Sequence, residues 1–128
     1  MVDWEDDEYC LYVNAREASS LWMILADWTQ SEDEELWKSS IPRFAAIITC
    51  WQRLGFIKVF QAEEWPAHLE GVEISSSDLP RLLRDPRSWE YSENPKRVIC
   101  IAIGDRDITE LKSGMCEDEI RRSHTPPQ

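Results

Sequence analysis

The chain has no run of about 18 apolar residues, the length a membrane-spanning helix needs, so no transmembrane segment is expected. Its first nine residues, MVDWEDDEY, are acidic where a secretory signal is basic and then apolar. A cytoplasmic protein is the expectation. Nucleotide-cradling loops of the GxxxxGK[ST] and GxGxxG type are missing, as are HExxH and GxSxG. Only two histidines are present, His68 in a WPAHLEG turn and His124 near the end, and neither stands near a cysteine in sequence. A Cys–His nucleophile pair would need such a neighbour. The four cysteines, Cys10, Cys50, Cys100 and Cys116, show no CxxC spacing. Neither a zinc site nor a disulfide framework is expected, and Cys50 and Cys100, inside apolar runs, read as small core hydrophobes. Asp105-x-Asp107 could hold a divalent cation, yet DxD after a strand is more commonly a turn whose carboxylates accept nearby backbone N–H groups. These absences argue against an enzyme, and no cofactor or metal is assigned.

What is present fits one domain. At 128 residues the chain can bury about two thirds of its unfolded surface without metal or crosslink. Seven residues are tryptophan, which builds cores and also anchors interfaces; four or five of them are expected inside. The net charge of −11 is unevenly spread. Residues 1–37 hold eleven acids against one base, Arg16, whereas residues 38–128 hold fourteen acids and thirteen bases. The acidity belongs to the first third, and this asymmetry is the strongest functional clue.

Along the chain, residues 1–8 read as a flexible acidic arm and YCLYV (9–13) as a short strand or a lead into helix. Asn14 and Glu17 have capping-box spacing, and Ala18, Leu21, Trp22, Leu25 and Trp28 recur at helical steps, predicting a helix over 15–28. TQSEDEE (29–35) is a polar connection. Ser39 or Ser40 then caps a second helix with Pro42 in its first turn, carrying the stripe Ile41, Phe44, Ala45, Ile48 and Trp51 and ending at Gly55. Trp22, Leu25, Phe44, Ile48 and Trp51 should join the two helices. FIKVFQ (56–61) and VEIS (72–75) read as a strand and its return. A short leucine helix opens at Ser76 or Ser77, with Pro80 in its first turn, and ends at Asp85-Pro86. SWEY (88–91) and RVICIAI (97–103) suggest a second hairpin that Gly104 breaks, and residues 107–122 a terminal helix. The sum is a compact α+β domain over 9–122 with a tail over 123–128.

Two helices, the second ending in Gly and followed at once by a hairpin, make a familiar order. The stretch SSIPRFAAIITCWQRLGFIKVFQ resembles the recognition helix and first wing strand of a winged helix-turn-helix domain. The leucine helix and SWEY/RVICIAI pair resemble small bacterial proteins on a modified winged helix. That likeness spans residues 15–75 and implies duplex-DNA binding by a regulator, with Arg43, Ala46, Thr49, Cys50 and Arg53 on the outward side of the second helix. Few bases and a −10 neighbour argue against it, because phosphate neutralisation supplies most non-specific affinity.

The acidic third can be a solubility device or an interface for a basic partner. Charge complementarity speeds encounter, and aromatic anchors give a desolvated centre. Acidic runs do alternate with tryptophans here, which nominates Glu32, Asp33, Glu34, Glu35 and Trp37, together with Glu63, Glu64 and Trp65, as partner-binding residues. In general character the chain is similar to small immunity proteins encoded beside secreted toxins. The resemblance implies a non-enzymatic inhibitor, of immunity or antitoxin type, of a basic, nuclease-like protein.

Overall fold

The structure is a computed structural model that describes residues 6–62, 71–90, 98–111 and Cys116. Among the described residues the regular elements in order are α1 (Asp6–Arg16), α2 (Leu21–Thr29), α3 (Glu34–Leu54), β1 (Ile57–Ala62), β2 (Val72–Glu73), α4 (Leu79–Arg84) and β3 (Val98–Ile103). Short 3-10 turns cover Pro86–Trp89 and Ile108–Glu110. The architecture is α+β: helices pack around a small antiparallel sheet of order β2-β1-β3. Among the described residues no helix is long and apolar enough to cross a membrane.

The first helical region is two helices, not one over 15–28. Residues 6–8, expected in a flexible arm, open α1, where Asp6, Asp7 and Glu8 face the positive end of the helix dipole. YCLYV is helical too. The break falls at Ala18, which takes a left-handed φ of 55°. Ser19 N–H donates to the Asn14 carbonyl at 2.9 Å and Ala18 N–H to that of Ala15 at 3.2 Å, the paired bonds of a Schellman stop. Asn14 is therefore no N-cap. It is buried inside α1 and its amide donates to the Cys10 carbonyl at 2.8 Å and to Asp27 Oδ2 at 3.1 Å, tying α1 to α2.

The buried side of α1 is partly polar. Asp7 is only 2% exposed and pairs with Arg43 Nε of α3, whose side chain is 43% exposed. Arg43→Ala would leave this buried carboxylate without its counter-charge and should cost about 2–3 kcal/mol. Asp7→Asn should cost roughly 1 kcal/mol, since Arg43 can turn to water. Urea unfolding of both variants checks the asymmetry, and equal losses would reduce the pair to a surface bridge.

The second predicted helix exists but starts earlier. Asp33 caps α3, its carboxylate accepting Glu35 N–H at 2.9 Å. Ser39 and Ser40 are interior residues whose hydroxyls donate back to the Leu36 carbonyl. Pro42 lies mid-helix on the exposed side, where water can take the carbonyl its missing N–H leaves free. Gly55 ends α3 as expected, with φ 88° and Schellman bonds from Gly55 and Phe56 N–H to the Gln52 and Trp51 carbonyls. Leu25, Phe44, Ile48 and Trp51 are fully buried in one core, whereas Trp22 is half-buried.

The first hairpin forms, Phe60 facing Glu73 and Gln61 facing Val72. The second does not. β3 pairs along its length with β1, from Ile57↔Ile103 to Ala62↔Val98, and its other side meets the α1–α2 connection through Ser20↔Cys100. SWEY is not a strand over its described residues: Asp85 accepts Arg87 N–H, Pro86 supplies a helical φ, and Trp89 swings into the core. Tyr91, the SENPK turn and Arg97 lie outside the described residues. The leucine helix is α4, with Pro80 in its first turn, opened at Asp78 rather than at a serine. After β3 the described residues include the 3-10 turn Ile108–Glu110; residues 112–115, 117–122 and the tail lie outside the described residues, as do residues 1–5.

One cysteine expectation is overturned. Cys50 of α3 and Cys116 form a disulfide with a Cα–Cα distance of 5.8 Å, spanning 66 positions. Both half-cystines are buried. No local spacing announced the pair, because the fold alone brings them together. Cys100 is buried and outside any disulfide, as its apolar run suggested.

Candidate functional site

The segment from Ser31 to Trp37 is built by a chain of local bonds. Ser31 Oγ accepts Asp33 N–H at 3.0 Å, Asp33 caps α3, and Trp37 Nε1 donates to the Ser31 carbonyl at 2.7 Å. These fold the acidic run into a tight corner at the positive end of a 21-residue helix. Carboxylates are favoured there, which lets four adjacent acids coexist. Glu32, Asp33, Glu34 and Glu35 are all exposed, and Leu36 beside them is 47% exposed. Lys38 offers the nearest base, with Nζ 4.0 Å from Glu35.

Trp37 is half-buried rather than free. Its ring stacks on Trp22 with centroids 6.5 Å apart and planes 19° from parallel. Trp37 also lines a small hollow between α2, α3 and the Pro86–Trp89 turn. Leu25, Ile41 and Trp89 complete its apolar wall, and Glu34, Lys38, Pro86 and Glu90 stand around it. Trp89 Nε1 donates to the Leu83 carbonyl at 2.9 Å, so neither indole N–H is left for a ligand. The structure thus brings Glu34 and Trp37 together with Trp89 and Glu90, which sequence reasoning missed. The only signal that could have found them was Asp85-Pro86, which marks a turn able to carry Trp89 inward.

Glu63, Glu64 and Trp65 lie outside the described residues, as does Trp4. Of the five described tryptophans, Trp51 and Trp89 are buried, Trp22 and Trp37 half-buried, and Trp28 is 39% exposed with its edge against Phe44.

The face of α3 assigned to DNA is not an open basic face. Arg43 is held by Asp7, Cys50 is buried in the disulfide, and Thr49 Oγ1 donates to the Ala45 carbonyl at 2.7 Å. Arg53 is exposed.

The carboxylates of Asp105 and Asp107 are engaged separately. Asp105 accepts Lys58 Nζ at 3.2 Å. Asp107 caps the Ile108–Glu110 turn, and the Thr109 N–H and then its hydroxyl hold its carboxyl below the usual range. Among the described residues no cluster of three or more His, Cys, Asp or Glu side chains could hold a metal ion.

Cys10 carries a chemistry of its own. Burial, followed by the charge of Asp27 with Oδ2 3.7 Å from Sγ, pushes its thiol up to about 12. A thiol held protonated is a poor nucleophile. With iodoacetamide at pH 8, native protein should leave Cys10 unmodified over hours, while Asp27→Asn should speed its alkylation. Peptide mass spectrometry reads both, and rapid labelling of the native wild type would contradict the burial. A folded-state pKa above the unfolded one also means that Cys10 favours folding below the ordinary thiol range. That contribution fades as pH rises towards 12.

No protein-family model matches the chain, and no curated protein or solved structure matches it either.

Proposed function

We propose that this protein is a non-enzymatic inhibitor of immunity or antitoxin type that blocks a basic, nuclease-like protein. Its binding surface is the acidic corner at the start of α3 with the tryptophan-lined hollow beside it. The observation that carries this reading is the continuity of charge and aromatic surface: four exposed acids run directly into Trp37, and Glu34 belongs to both. Interfaces of high specificity combine such a charged rim with an aromatic centre. A nucleic-acid-handling enzyme presents the complementary basic site. The alternative, a DNA-binding regulator, would have to work through an α3 whose Arg43 is already paired.

The cytoplasm is the proposed compartment, and it has a consequence for the disulfide. Cytosolic thiols are kept reduced, so Cys50 and Cys116 would be free thiols there. Alkylation of protein quenched from its native cell reads that state directly.

The test is a pull-down from the native cell followed by binding kinetics. The variant Glu32→Gln, Asp33→Asn, Glu34→Gln, Glu35→Gln keeps a capping side chain at position 33. It should slow association about tenfold at low salt, with a much smaller effect at high salt. Trp37→Ala should instead speed dissociation, at a cost of about 2 kcal/mol. Unchanged rates in the quadruple variant would leave the acidic run as a solvated face. Salt-sensitive binding of duplex DNA tighter than about 10⁻⁶ M would favour the regulator.

A further inference from the structure

We infer that Cys50 and Cys116 are a redox latch: a thiol pair in the resting cytoplasm that a peroxide closes, and that stays closed after the oxidant has gone. This goes beyond the inhibitor reading and uses only its reducing compartment.

The fold itself makes the pair. Cys50 lies on α3 and Cys116 beyond β3, with Cα atoms 5.8 Å apart. Both are buried, 0% and 2% exposed, in one core cluster with Ile47, Ile48 and Trp51. A charge stands beside one of the sulfurs. Arg53, one turn further along α3, places Nη2 4.0 Å from Cys50 Sγ. A cation there stabilises the thiolate, the form that attacks an oxidant. Cys10 has the opposite neighbour, the Asp27 carboxylate with Oδ2 3.7 Å away. An oxidant therefore selects Cys50 over Cys10.

Closing consumes one peroxide. The Cys50 thiolate attacks the O–O bond, keeps one oxygen as a sulfenic acid and releases the other as hydroxide, which takes up a proton to become water. The Cys116 thiol then attacks the Cys50 sulfur. The S–S bond forms, the S–O bond breaks, and the hydroxyl leaves as water with the thiol proton. The two sulfurs lose two electrons and the peroxide gains them.

The two directions make different demands on the fold. With the bond open, Cys116 can move off Cys50 while α3 stays packed, a local opening of low cost that admits a peroxide. With the bond closed, a reducing thiol must reach a sulfur, and neither half-cystine is exposed. Cys116 can then no longer move away alone, because it is tied to a helix that packs on α1, α2, α4 and β1. Reduction waits for a larger opening that includes α3. The closure that stabilises the fold thus slows its own reversal, and the protein keeps its oxidised form beyond the episode that produced it.

The experiment treats reduced full-length protein with hydrogen peroxide, removes the peroxide and adds glutathione. Alkylation and peptide mass spectrometry read each cysteine at both stages. The expected result is a Cys50–Cys116 bond with Cys10 still a thiol. Arg53→Gln should close about threefold more slowly, and Arg53→Lys should restore the rate. In Cys116→Ala, dimedone should label Cys50 as the sulfenic acid. Glutathione should open the native bond at least about a hundredfold more slowly than the same bond in urea, each rate taken relative to a short disulfide peptide in the same solution. Peroxide that leaves Cys50 and Cys116 unlinked, or oxidises Cys10 as fast, overturns the pair as the oxidant's target. An unchanged rate in Arg53→Gln, or no dimedone label on Cys50, overturns Cys50 as the attacking thiol. Opening as fast in native buffer as in urea overturns the latch. The pull-down kinetics, run on protein held reduced, judge the inhibitor reading independently.

Discussion

Reduced protein, or the double variant Cys50→Ala, Cys116→Ala, should melt far below the oxidised protein. The disulfide closes a loop of 66 positions that contains the three described strands and α4. Restricting the unfolded chain by a loop of this length stabilises the fold by about 4 kcal/mol. In a domain of this size that corresponds to a melting temperature lower by on the order of 15 °C. Thermal melts of oxidised, reduced and double-alanine protein measure it, with a thiol titration to confirm each state. The alanine variant should match the reduced wild type more closely than the oxidised one. If all three melt together, the crosslink does not constrain the unfolded chain, and packing of Ile108 and Leu111 into the core holds the segment after β3 in place without it.

The second large effect is expected at Trp51. This side chain is fully buried in the same core as Leu25, Phe44 and Ile48. Trp51→Ala should cost about 3–5 kcal/mol, a large share of the 5–15 kcal/mol typical of a whole domain. Trp28→Ala is the informative control. That ring is 39% exposed and meets Phe44 edge-on at 5.6 Å, an arrangement worth about 1 kcal/mol beyond its buried area. Chemical unfolding should therefore rank the two variants clearly apart. Similar losses would mean that Trp51 is less essential to the core than its burial implies.

Much of this fold was legible where apolar residues alone determine what is inside. The stripe of α3 and its Gly55 exit follow from spacing and from one backbone conformation that glycine adopts freely. So do β1 and the leucine helix. α1 was illegible for a physical reason: its buried face carries Asp7, Glu8 and Asn14, and at least two of these are satisfied by partners far along the chain, Arg43 and Asp27. Periodicity counts such positions as outside. The serines before Pro42 misled because a capping signal is local, and Asp33 upstream had already started the helix. SWEY looked like a strand by composition, but Asp85-Pro86 turned its first two residues into a 3-10 turn. At the candidate site, the exposure of the acidic run could be read directly. Its partnership with Trp89 and Glu90 required the chain to close on itself.

The order β2-β1-β3 also says how this chain must assemble in time. β1 meets β2, its next strand in sequence, but its long partner β3 arrives only after α4 and the Pro86–Trp89 turn have been traversed. Closing so large a loop precedes the contacts that reward it, and such non-local pairing slows folding. While β3 is absent, one side of β1 presents unpaired backbone groups, the template on which strands of other chains add. On a ribosome, that side stays open until Ile103 has emerged. The chain is therefore most exposed to aggregation during synthesis, and a slower translating host should yield less soluble product from the same gene.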